Sequence, residues 1–218
     1  MSQRIPRSLF DQLSDSCTKA SELVAGAELA RANAQNTTST RAWLHPRRLE
    51  SLYELAFLRI YTSWEDFLEQ TFLRYLCGYT CPGRTVVRTG NQPMIRTIAD
   101  ARNALYGGRR YILWHDPAKH LIQRSQKLLL SGCPHEDIAR SSLSVLQGLA
   151  SIRHRIAHLT TDSRTQFDNT TMGICGKRYP GGRPGRFLRD QDSSSPVPKR
   201  FFETTRQQLV GLAGQICP

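Results

Sequence analysis

At 218 residues and 24.7 kDa the chain is long enough to bury one good core, and residues 1–218 are expected to form a single domain. Hydrophobic residues at 39% and aromatics at 8% argue against a disordered chain, and no run of about 18 apolar residues is present to cross a membrane. Thirty Lys and Arg against 18 Asp and Glu give a net charge of +12 and a pI near 9.9, which favours a polyanionic partner, nucleic acid first.

In chain order, Leu9, Leu13, Cys17, Ala20, Val24 and Ala27 step by threes and fours from Ser8, predicting an amphipathic helix that fades in the polar stretch Asn33 to Thr40. A long helix is expected to start at Pro46 and stop at Gly78, with its core stripe on Leu49, Leu52, Tyr53, Ala56, Phe57, Ile60, Trp64, Phe67, Leu68 and Leu76. Residues 79–135 read as a variable, mostly helical insertion: an irregular part with a short strand near Val86-Val87, then a helix from Met94 to Leu105 ending at Gly107-Gly108. A second helix there is capped by Asp116-Pro117 and stops at Gly132. From Glu136 to Thr160 the pattern is helical again, with Leu143, Leu146, Leu149, Ile152 and Ile156 facing a core. The Gly-, Pro- and Ser-rich basic stretch 169–198 reads as a loop or as a β-hairpin of Gly173–Tyr179 and Gly185–Leu188. A closing helix runs from Lys199 to Ile216, docking through Phe202, Leu209, Leu212 and Ile216.

Only five of the basic residues are lysines, so arginine, with its planar fork suited to phosphate, carries the charge. A GC-rich coding bias would raise arginine over lysine but leaves the net charge unexplained. The N-terminus MSQRIPRSLFDQL has no apolar run suited to a signal peptide, so a soluble, cytoplasmic protein is expected. On that reading the six cysteines, at positions 17, 77, 81, 133, 175 and 217, are reduced thiols. Cys77 and Cys81 with Cys133 and His135 offer an alternative zinc grouping whose spacing is a weak ligand signature.

Phosphate-binding loops, dinucleotide fingerprints, zinc-protease motifs and nucleophile elbows are all missing from the sequence, so chemistry must rest on His, Arg and carboxylates. One segment concentrates them: SIRHRIAHLT, residues 151–160, with Arg153, His154, Arg155 and His158 at the end of an amphipathic helix. An Arg followed after four to six residues by His arises about twice by chance in this composition. The competing pairs, Arg109 and Arg110 with His115, are interrupted by the turn at Asp116-Pro117.

The segment RHRIAH resembles the HEPN signature, in which an Arg with a polar neighbour precedes a His and apolar residues fill between. The long helix 52–78, and the stretch ending GRFLR before a last helix near Phe201, are similar to those of stand-alone bacterial HEPN proteins of the RiboL-PSP-HEPN-like subgroup. The resemblance implies an all-α, HEPN-type helical bundle with a small β-hairpin or loop insertion before the C-terminal helix. It also implies a metal-independent endoribonuclease without cofactor, leaving 2′,3′-cyclic phosphate and 5′-hydroxyl ends. Such a protein acts as a toxin or phage-defence effector, as a homodimer whose paired helices line one cleft, with an antitoxin or defence-system partner.

On this reading His158 moves a proton, Arg153 clamps the phosphoryl group, His154 assists, Arg155 contacts the RNA backbone and Glu65 orients one of these groups. Residues five apart on a straight helix diverge by about 140°, so the helix must loosen near His158 or Arg153 must reach around. Plainer readings stand beside this one. His154 and His158 share a helix face and could hold a metal, the whole cluster could simply complement the helix dipole, and Glu65 could be an exposed charge beside a buried Trp. The alternative function is a non-catalytic HEPN module that binds RNA or protein, for example the regulatory half of a toxin–antitoxin pair.

Overall fold

A computed structural model describes residues 3–34, 42–82, 88–89, 95–131 and 133–217, and these are mostly helical. The chain divides into two compact units, described separately below. Unit 1 holds Met1–Leu13, Ser63–Gln147 and Val210–Pro218, and unit 2 holds Ser14–Thr62 and Gly148–Leu209. The expected strand at Val86-Val87, the fade after Ala34, the helix start at Met94 and the stop at Gly132 lie outside the described residues.

Two long helices, α1 (Ser8–Asn33) and α2 (Pro46–Leu76), follow the expected apolar stripes. Leu13, Cys17, Ala20 and Val24 are buried on α1; on α2 every expected core residue is buried except Leu52, which is half-buried.

In unit 1, α2 contributes Trp64, Phe67, Phe72 and Tyr75, all buried. Helix α3 (Ile98–Tyr106) is capped by Thr97, whose hydroxyl accepts from Asp100 N at 3.1 Å, and ends at Gly107 as expected. Asp116 does cap the next element, accepting from Lys119 N at 3.1 Å, but that element opens as a π-helical turn, Pro117–Ile122, before α4 (Gln123–Leu128). The helix expected beyond Leu128 gives way to a strand, β2 (Leu129–Ser131), which pairs antiparallel with β1 (Arg88–Thr89). There the neighbouring strand, rather than the preceding turn, supplies the backbone partners.

The single helix expected from Glu136 to Thr160 is two. Helix α5 (Pro134–Ser141) stops at Ser142, whose backbone leaves the helical region at φ −122° and ψ 25°, and α6 (Leu143–Ala157) starts beyond it. Serine competes for backbone hydrogen bonds, and the Ser141 hydroxyl donates to Ile138 O at 3.2 Å, which favours a break in this Ser-Ser pair. His135 on α5 is fully enclosed, edge-on to Phe72 and Tyr75. The thiols are not all reduced: Cys81 and Cys217 form a disulfide, while Cys17, Cys77, Cys133 and Cys175 are free.

In unit 2 the hairpin expectation fails. Its first arm is the end of a helix, α7 (Thr161–Cys175), stopped by Gly176 at φ +67°. Its second arm is a short helix, α8 (Pro184–Arg189), opened by a proline at its first turn. Loops at 176–183 and 190–200 flank α8, and α9 (Phe201–Ile216) then closes the chain from two residues beyond the expected Lys199 start. Phe187 of α8 stacks on Phe201 at 4.6 Å and meets Tyr179 and Phe167 edge-on, so the basic stretch rests on a buried aromatic cluster. Each such ring contributes on the order of 1.5–3 kcal/mol by leaving water. Gly185 presses its backbone against Glu50 of α2, where a Cβ would lie 2.1 Å from the Glu50 carbonyl oxygen, and its N–H donates to Glu54 Oε1 at 2.8 Å.

Candidate functional site

The Arg and His cluster sits where α6 ends. The last helical residue is Ala157, so His158 falls one residue beyond the helix. Its amide still follows the helical pattern, donating to His154 O at 2.9 Å. The two imidazoles stand side by side, with ring centroids 4.7 Å apart and planes inclined by 50°. His154 is half-buried and His158 exposed. Arg153 is half-buried, and among the described residues its guanidinium makes no hydrogen bond or ion pair.

Arg155 has a different surrounding from the one expected. Its side chain is buried at 8% exposure, and its donors are spent inside the protein. Nε donates to Gly182 O at 2.9 Å, one terminal nitrogen to Thr160 O at 3.2 Å and Ser163 Oγ at 3.3 Å, and the other to Gly181 O at 3.4 Å. Arg155, expected to contact the RNA backbone, ties the end of α6 to the start of α7 and to the 176–183 loop. Gly182 fits under it because its φ is +56° and because a Cβ there would meet Arg164 Cγ at 2.9 Å and Arg155 Nε at 3.3 Å.

The turn carrying His158 is held from the other side by Ser163, which is fully buried. Its hydroxyl lies 2.6 Å from His158 O and 2.9 Å from Thr160 O, and its amide donates to Thr160 Oγ1 at 3.2 Å, the N-cap of α7. Thr160, Ser163, Gly181 and Gly182 were not among the expected site residues. The sequence did hold a local signal for the first two, a Thr followed by Asp162 in the first turn of a helix.

Glu65 also has a partner of its own. Its Oε1 lies 3.3 Å from His115 Nδ1, both side chains about one-fifth exposed, within unit 1. The neighbouring Glu69 accepts from Tyr106 Oη at 3.0 Å and Trp114 Nε1 at 3.4 Å. His115, the partner of Glu65 within unit 1, is the histidine of the competing Arg/His pairs.

Among the described residues no group of three or more His, Cys, Asp or Glu side chains is placed to hold a metal ion. The zinc grouping loses Cys81 to its disulfide, and His135 is directed at Thr71. Because the Thr71 hydroxyl donates to Phe67 O at 2.7 Å, it accepts from His135 Nε2 at 2.9 Å, which places a hydrogen on Nε2. Burial lowers the pKa of His135 to about 3.

Comparison with family models, with curated proteins and with solved structures returns no match to this chain. Among the described residues no helix is long and apolar enough to cross a membrane.

Proposed function

We propose that the chain is a metal-independent endoribonuclease of the HEPN type, in which the 2′-hydroxyl of RNA attacks the adjacent phosphate. The observation that carries this reading is the pair of adjacent imidazoles of His154 and His158, with Arg153 next to His154 near the end of α6, on a turn held by buried Ser163 and Arg155. A general base or acid must be presented at a fixed place yet open to substrate, and an exposed imidazole on a pinned backbone meets both needs. Arg153, with no internal partner among the described residues, is the group left to neutralise charge building on the phosphoryl oxygens. His154, in ring contact with His158, assists in handling the proton.

The reaction balances without a co-reactant. The 2′-oxygen bonds to phosphorus and gives up its proton, the bond from phosphorus to the 5′-oxygen breaks, and that oxygen takes a proton to leave as a 5′-hydroxyl. One chain offers an adjacent His pair; a second copy across a two-fold axis supplies acid and base from separate chains. Leu159, next to His158 and 84% exposed, is an apolar group that such a dimer would cover. The substrate is cellular or phage RNA, the setting a toxin or defence system with a protein partner, and the location the cytoplasm.

The test is to incubate purified protein with end-labelled RNA in excess chelator and identify the new ends. Cyclic-phosphate and 5′-hydroxyl ends that vanish with His158→Ala support the reading. Unaltered RNA, or cutting that requires an added metal, contradicts it.

A further inference from the structure

A cleft of about 630 Å³ opens in unit 2 beside the 176–183 loop, a volume within the range of small-ligand and nucleotide sites. Six cations line it: Lys177, Arg178, Arg183, Arg186, Arg189 and Arg200. Carboxylates answer only some of them. Arg183 is paired with Glu50 through two nitrogens, Nε lying 2.9 Å from Oε2. Arg189 grips Glu28 at 2.6 and 3.1 Å, Arg200 reaches the same carboxylate at 3.7 Å, and Lys177 lies 3.6 Å from Asp190. Arg178 and Arg186 are exposed and have no partner among the described residues. Positive charge is therefore in excess at the mouth of the cleft.

The cleft is also built rather than incidental. Tyr179, buried beneath it, donates its hydroxyl to Asp190 at 2.8 Å and packs edge-on to Phe187, so the wall stands on the aromatic cluster. Among the described residues Tyr179 is the one aromatic of the lining, and it is 5% exposed, so these residues offer no platform to a base. Charge without stacking fits a phosphate backbone read without regard to sequence. Gly181 and Gly182, whose carbonyls Arg155 holds, lie in the chain between the lining residues Pro180 and Arg183. The cleft wall and the turn carrying His158 are thus anchored by one guanidinium.

We propose that this cleft is an anchoring subsite for the backbone phosphates of RNA, with Arg178 and Arg186 as its free contacts. Its RNA identity rests on the nuclease reading above, whereas its chemistry, a run of phosphates, rests on the cleft alone. The three paired arginines and the paired lysine shape the wall, and the two unpaired arginines gain a counter-charge only when the strand binds.

The experiment measures binding, not cutting. The full-length protein is titrated into a fluorescent single strand of 2′-O-methyl RNA, which has no nucleophile, across a series of salt concentrations. Arg178→Ala combined with Arg186→Ala should weaken binding about tenfold or more and lower the slope of log K against log salt by about 1.4. The double lysine variant should keep most of the slope, since it keeps the charges, and inorganic tripolyphosphate should displace the strand from wild type. Equal affinity and slope in wild type and the alanine variant, with matched melting curves, would overturn the subsite. A protein that binds through both arginines yet leaves natural RNA intact would sink the nuclease reading and support this one.

Discussion

Replacing Arg155 separates the two roles that a basic residue in this cluster could play. The side chain satisfies three backbone carbonyls, those of Thr160, Gly181 and Gly182, and the Ser163 hydroxyl, while remaining only 8% exposed. Thr160 O keeps the Ser163 hydroxyl and Arg164 N as donors, so Arg155→Ala strands the Gly181 and Gly182 carbonyls, at about 1–3 kcal/mol for each that water cannot reach, and leaves a void under Gly182. Because water can enter where the loop is exposed, the sum is expected near 3–5 kcal/mol rather than at its ceiling. Equilibrium unfolding in urea, followed by far-UV circular dichroism, would show the midpoint fall with little change in slope. Arg155→Lys should recover less than half of the loss, since one ammonium cannot span Gly182 O and Ser163 Oγ together. An unchanged midpoint with weakened RNA binding would refute this reasoning and return Arg155 to the RNA surface.

Three further outcomes follow from the packing. Gly185→Ala should destabilise unit 2 by about 3 kcal/mol despite the better helix propensity of alanine, because its Cβ would run into the Glu50 backbone; a raised unfolding midpoint would contradict this. His135 binds protons less readily folded, at a pKa of about 3, than unfolded, near 6.5, so its contribution is complete above about pH 6.5 and is lost as pH falls toward 3. His120, lowered first by its burial, acts in the same direction. Between about pH 7 and pH 5 the loss from His135 should be about 2 kcal/mol, absent in His135→Asn, and equal pH dependence of the two proteins would tell against it. Cys81→Ser should lower the melting temperature through the loss of a link between residues 136 apart, worth at most about 5 kcal/mol in chain entropy; identical melting with and without reductant would remove the bond from the account.

The sequence reading succeeded where burial writes a stripe and failed where it does not. Helices α1, α2 and α9 carry apolar residues every three to four positions, so their faces and nearly their ends were legible. Helix α7 buries only Ser163, Phe167 and Thr171, too few apolar positions to reveal a period; its cap Thr160 was read as the end of the preceding helix and its stop Gly176 as part of the loop or hairpin. The same Gly and Pro residues that suggested a hairpin prove to be the stop of α7 and the first turn of α8. The Arg/His segment could be found by residue type, but not divided into roles. Residues two apart on a helix diverge by about 200°, so Arg153 and Arg155 cannot face the same way. Arg155 lies four and three residues beyond buried Ser151 and Ile152, which put it on the inward face. The Glu65–His115 contact and the Cys81–Cys217 bond join residues 50 and 136 apart, and no local pattern encodes them.

The central claim is tested most directly by single-turnover cleavage of one labelled RNA, in excess chelator, by wild type, His158→Ala, Arg153→Ala, Arg153→Lys and His115→Ala. The account predicts a rate loss of about 10²-fold or more for His158→Ala and a comparable loss for Arg153→Ala. Arg153→Lys should rescue little, and His115→Ala should cut nearly as fast as wild type, with unfolding midpoints of the Arg153 and His158 variants close to the parent. Equal cleavage rates for wild type and His158→Ala, in protein that still binds RNA, would contradict the assignment of the α6 terminus as a catalytic site.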